Sequence, residues 1–177
     1  MKKSLILAAI LAVVSVGAAV AQPRAIGLNI GYGVDFSYQH TVGEANMVDL
    51  SVNIPAFNGI GVTATYDWIN PFNTAIPWNE QGTWNWSLGV GAGVGVYNPF
   101  RTQGVLTENG ELGKEWAGKI YAGAVGHVGV SYDFWFPLQL SLDYRPNIGL
   151  AVTGDGGLLF NGIGLFSGIT LGVRYLF

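Results

Sequence analysis

Between Trp84 and Val96 the chain alternates without a break. Trp84, Trp86, Leu88, Val90, Ala92, Val94 and Val96 are apolar, and Asn85, Ser87, Gly89, Gly91, Gly93 and Gly95 stand between them. Side chains on a strand point alternately to opposite faces, so this run has one greasy face and one polar or small face. Residues 26–38 repeat the pattern: Ile26, Leu28, Ile30, Tyr32, Val34, Phe36 and Tyr38 alternate with Gly27, Asn29, Gly31, Gly33, Asp35 and Ser37. It recurs over Val48, Leu50, Val52 and Ile54, and over Leu138, Leu140, Leu142 and Tyr144. The two best runs cover 13 residues each. Ordinary strands peak near 5–6 residues, and a strand crossing a bilayer takes about 9–11.

A soluble sandwich alternates too, but its outer faces carry lysine and glutamate, and the polar faces here are poor in both. Only 11% of the 177 residues are charged and 50% are apolar, whereas a soluble domain has about 25% charged residues. Disorder is excluded by the same apolar content. A net charge of -3 and a pI near 5.2 argue against a nucleic-acid partner. With no cysteine, a disulfide scaffold, a thiolate metal site and a cysteine nucleophile are all excluded. Apolar faces toward lipid and a glycine-rich polar lumen fit this pattern. Such a sheet must close on itself, because an open edge would leave unpaired backbone groups in hydrocarbon.

Residues 1–21 read as a cleaved signal peptide. Lys2 and Lys3 precede an apolar stretch from Leu5 to Val16, and Ala19-Val20-Ala21 forms a small-x-small cleavage site. The mature domain is then 22–177. No later stretch approaches the roughly 20 apolar residues of a spanning helix.

Seven strand runs are clear, near 33–39, 46–54, 60–69, 84–97, 117–133, 137–148 and 168–177. Tyr38, Tyr66, Trp68, Trp84, Trp86, Tyr132, Trp135, Tyr175 and Phe177 lie at strand ends that antiparallel pairing puts on one side, as in an interfacial girdle. That places the C-terminus beside the connections 40–45, 70–83 and 133–137. An eighth strand over 23–30 is then required. A turn at Gly31-Tyr32-Gly33 would pair Ile30 with Val34 and Leu28 with Phe36, its glycines taking positive φ. A single strand over 25–39 is the alternative. Segments 98–116 and 149–166 are expected to be long outer loops, and the Asp155-Gly156-Gly157 run a turn. The predicted fold is an all-β, closed, antiparallel up-and-down transmembrane barrel of eight strands.

Three stretches carry a family resemblance. They are Gly89 to Gly95, the Pro137 to Pro146 run (PLQLSLDYRP), and the ending Leu171 to Phe177. Together they resemble the small eight-stranded outer-membrane β-barrel proteins of Gram-negative bacteria, of the OmpX and OmpA-transmembrane type. The resemblance implies residence in the outer membrane, contact with its lipid, and a C-terminal signal (Val173, Tyr175, Phe177) read by the barrel-assembly machinery. It implies no particular activity.

Parity puts Asp35, Asp49, Asp67, Lys119, His127, Asp143, Arg145 and Arg174 in the lumen, where charges must be paired or hydrated. If the 133–137 turn pairs Tyr132 with Leu138, His127 faces Asp143 with Arg145 diagonal to it. A structural charge network is the favoured reading over a catalytic pair. His40 reads as a solvated turn residue. No nucleophile, base and orienter cluster near the outer rim, so no enzyme activity is predicted. The glycine run lacks the lysine and helix of a phosphate loop. No cofactor or metal is expected. Tyr97 and Tyr121 are placed to fill the space that inward glycines leave. The function expected is that of a monomeric outer-membrane barrel with a structural or surface-interaction role and an unidentified extracellular ligand. A small channel or ligand-binding barrel is the alternative, and a lipid-modifying enzyme a third reading.

Overall fold

The computed structural model describes residues 24–43, 45–55, 58–72, 81–106, 112–154, 156–162 and 168–177. The leader with Ala19 and Ala21 lies outside them, as do Pro77, Trp78 and Asp155. The strands are β1 (Arg24–Ile30), β2 (Gly33–Val42), β3 (Asn46–Pro55), β4 (Gly59–Pro71), β5 (Gly82–Tyr97) and β6 (Thr102–Leu106). They continue with β7 (Leu112–Trp116), β8 (Lys119–Phe134), β9 (Leu138–Tyr144), β10 (Asn147–Thr153), β11 (Leu158–Asn161) and β12 (Ile169–Leu176). No helix occurs among the described residues.

The sheet closes into an eight-strand antiparallel barrel. Its order is β1-β2-β3-β4-β5-β8-β9-β12, with β12 returning to β1. β10 continues β9 in the same register on β8, as Tyr144↔Val128 and Asn147↔Val125 show. Pro146 interrupts that ladder because it has no N–H, yet its carbonyl still accepts from Gly126 N at 3.0 Å.

The first hairpin forms with Ile30↔Val34 and Leu28↔Phe36 paired, in the register that the turn at 31–33 requires. Neither Gly31 nor Gly33 takes a positive φ, which corrects the reason for them. A side chain on Gly31 would meet the Ile169 carbonyl instead, and one on Gly33 the Ile54 carbonyl.

Three further expectations change. The 135–137 turn pairs Tyr132 with Leu140, a shift of two residues, so Gly129 and not His127 faces Asp143. Segment 98–116 contains the β6–β7 hairpin, and 149–166 contains most of β10 and all of β11, so neither is a plain loop. His40 belongs to β2, opposite Val48 and Arg24, with its ring stacked on Tyr38. Of the Asp155-Gly156-Gly157 run, Asp155 lies outside the described residues; Gly156 has φ 82° and Thr153 Oγ1 donates to the Gly157 carbonyl at 3.0 Å.

The barrel is inverted relative to a water-soluble domain. Its exterior carries Ile26, Leu28, Val62, Leu88, Val90, Val94, Leu142, Leu171 and Val173, all exposed. The buried apolar side chains include Ala25, Met47, Pro55, Tyr121, Val125 and Ala151, and the buried polar ones among the described residues outnumber them. Aromatic rings gather at the end where Arg24 and Phe177 lie: Tyr66 with Trp68, Trp84 with Tyr132, Phe134 with Phe136, and Tyr175 with Phe177.

Candidate functional site: a charged network across the lumen

Two guanidinium groups organise the interior. Arg174, on β12 and 1% exposed, donates through Nη1 to Gln139 at 3.1 Å and Ser141 at 2.6 Å. Its Nη2 donates to Asn29 at 2.7 Å and Asp143 at 3.0 Å, and its Nε to Ser37 at 3.3 Å. Arg145 grips Asp49 with both terminal nitrogens, at 3.2 and 2.8 Å, and also donates to Ser51 at 3.0 Å. Such forked pairing is what a planar guanidinium supplies and an ammonium does not. Asp49 further accepts from Ser37, Gln39 and Ser51.

His127 completes the network. Its Nδ1 lies 2.6 Å from Asp67 and its Nε2 3.0 Å from Asp143. Thr65 donates to Asp67 at 2.8 Å, and Ser141 donates to Asp143 at 2.6 Å. The chain Asp67–His127–Asp143–Arg174–Ser37–Asp49–Arg145 therefore crosses the lumen without a gap.

Inward glycines make these bridges possible. Gly89 on β5 is the register partner of both Asp67 on β4 and His127 on β8. A Cβ on Gly89 would collide with Asp67 Oδ1. Without one, the histidine and the aspartate meet across the middle strand. Gly27 does the same on β1. It faces Ser37 on β2 and Arg174 on β12, which bond over it.

Of the eight charged residues assigned to the lumen, Asp49, Asp67, His127, Asp143, Arg145 and Arg174 join this network. Asp35 lines the wall without a hydrogen bond or ion pair among the described residues. Lys119 stands at the β8 end, opposite Tyr97 and Thr153, where it is exposed and takes no part in the network. Charge alone did not reveal Asn29, Ser37, Gln39, Ser51, Thr65, Gln139 and Ser141. Their inward parity was the available signal.

The network separates two small cavities of about 90 Å³ each. The one toward the termini is bounded by Asp133, which accepts from Asn85 at 3.0 Å and Gln139 at 2.7 Å. The other, toward the 31–33 turn, is walled by Tyr32, Asp35 and Tyr121. Tyr121 is buried and packs on Tyr97 with ring centroids 5.2 Å apart, filling space beside the glycines as expected.

Both nitrogens of His127 are taken by carboxylates, so neither is free to receive a hydroxyl proton as a nucleophile's base must. No group of three or more His, Asp or Glu side chains that could hold a metal occurs among the described residues. Comparison with protein-family models, curated proteins and solved structures finds no match.

Proposed function

We propose that this chain is a monomeric integral barrel of a Gram-negative outer membrane, exported with removal of residues 1–21, whose role is structural or surface-interacting. One observation carries the reading: the polar side chains are inside and the apolar ones outside. In water, that exterior would be an apolar surface far larger than soluble monomers tolerate. In lipid, it is the favourable arrangement, and a closed sheet satisfies every edge. The aromatic cluster at the terminal end supports an interfacial girdle there. Val173 and Tyr175 face outward on β12, and Phe177 is exposed directly after it, a placement that suits recognition by assembly machinery.

The charged network favours a sealed lumen over a channel. An ion passing through would have to break several charge-assisted hydrogen bonds at once, each worth about 1.5–3 kcal/mol. The bonding of His127 speaks against the lipid-modifying enzyme. Reconstitution in a planar bilayer tests the seal. No discrete conductance steps are expected, and regular steps would establish the channel reading instead.

A further inference from the structure

Asp35 is the lumenal carboxylate that the chain itself leaves over. Asp49 is held by Arg145, Asp143 by Arg174 and His127, and Asp67 by His127. Asp133 is held by two side-chain amides. Asp35 has no such partner among the described residues, and Lys119, the cation that strand parity would bring inward, is exposed.

Two further acceptors in the cavity around Asp35 also lack partners. Asn147 is 6% exposed, and its Oδ1 has no hydrogen-bond partner. Thr170 Oγ1 also lacks one. Both line the same cavity as Asp35, together with the rings of Tyr32 and Tyr121. Arg145 forms part of the wall, with its Nε unpartnered; its terminal nitrogens are committed to the forked pair with Asp49, and it acts on Asp35 through space without a hydrogen bond.

We propose that this cavity binds a small primary ammonium compound, with Asp35, Asn147 and Thr170 as its three acceptors. An ammonium offers three N–H donors and one positive charge, which matches three acceptors of which one is an unpaired carboxylate. Divalent cations fit less well, because magnesium and calcium take six or more oxygens. Aromatic faces add cation–π attraction. A volume of about 90 Å³ equals the share of roughly three liquid waters, enough for the ammonium and a few carbons. The site is at the barrel end away from Arg24 and Phe177, and its chemistry does not depend on the membrane reading.

The test is an NMR titration of the full chain, refolded in detergent micelles, with methylammonium chloride. Saturable shifts are expected at the amides of Asp35, Asn147 and Thr170. Asp35→Asn should weaken binding by about tenfold or more, the loss of one charge-assisted hydrogen bond. Thr170→Val, which deletes only an unpartnered hydroxyl, should weaken it by about threefold and serves if the first variant does not fold. The proposal is overturned by the absence of saturation, by an equal response to sodium chloride, or by variants that bind like the parent.

Discussion

Arg174 and Ser37 stand on strands separated by β1 and hydrogen-bond across Gly27, with Nε donating to the hydroxyl at 3.3 Å. The same hydroxyl donates to Asp49 at 3.1 Å. Among the described residues this is the hydrogen-bonded link between the cluster around Arg174 and the cluster around Arg145. Ser37→Ala should lower stability by about 1 kcal/mol. It should also weaken the coupling between the two clusters. A double-mutant cycle between Asp49→Asn and Asp143→Asn, read from urea unfolding in micelles, should give a coupling larger by about 0.5 kcal/mol when Ser37 is present, on top of the through-space attraction that crosses between the clusters in either background. Equal coupling in both backgrounds would show that the clusters communicate by another route.

Arg174→Met should be the most damaging single change in the lumen. It leaves Asp143 buried with one fewer cation and strips donors from Asn29, Gln139 and Ser141. Removing one partner of a buried pair costs about 3–5 kcal/mol. Arg174→Lys should recover little, because a point charge cannot reproduce the fork. The urea midpoint measures both, and a lysine variant as stable as the parent would contradict the geometry.

Gly89 and Gly104 make a controlled pair. A methyl on Gly89 would collide with Asp67 Oδ1, whereas one on Gly104 would meet nothing within 4 Å. Gly89→Ala should therefore displace Asp67 from His127 and cost about 1–3 kcal/mol, the usual range for overpacking. Gly104→Ala should stay within about 0.5 kcal/mol of the parent. Equal effects would mean that the glycine is not a bridge.

Much of this design was legible in position parity. Even-numbered Ile26, Leu88, Val90 and Leu142 are outward, and odd-numbered Asp49, Asp67, His127 and Asp143 are inward. Parity also explains why the wrong register at 135–137 did little harm. A slip of two residues keeps every side chain on its face, and His127 still reaches Asp143 at 3.0 Å, though diagonally. What parity could not show was distance along the lumen or across it. Nothing local in the sequence says that Arg174 reaches from β12 to Ser37 on β2, because that bond depends on closure of the sheet. Parity also could not show that Lys119, at the open end of β8, stands exposed and apart from the network. The β6–β7 and β10–β11 hairpins were obscured by glycine and by polar residues that also make ordinary loops.

The exterior should tolerate charge according to depth. Val90 is in the middle of β5, 59% exposed, while Phe100 is beyond its end and 95% exposed. Val90→Lys should cost about 2–4 kcal/mol for folding into lipid vesicles, the range for a cation at the bilayer midplane of a barrel. Phe100→Lys should cost less than about 1 kcal/mol. Equal small costs would argue for water around the whole barrel.

The central claim is that the apolar face meets lipid, and the absence of native cysteine makes its test clean. Single cysteines replacing outward Val94 and Val128, and inward Ser87 and Ser131, would carry nitroxide labels in the chain reconstituted in vesicles. The account predicts that labels at Val94 and Val128 are relaxed by oxygen and shielded from a water-soluble nickel chelate, while those at Ser87 and Ser131 show no such lipid signature. Ready access of the nickel reagent to Val94 and Val128 would contradict it.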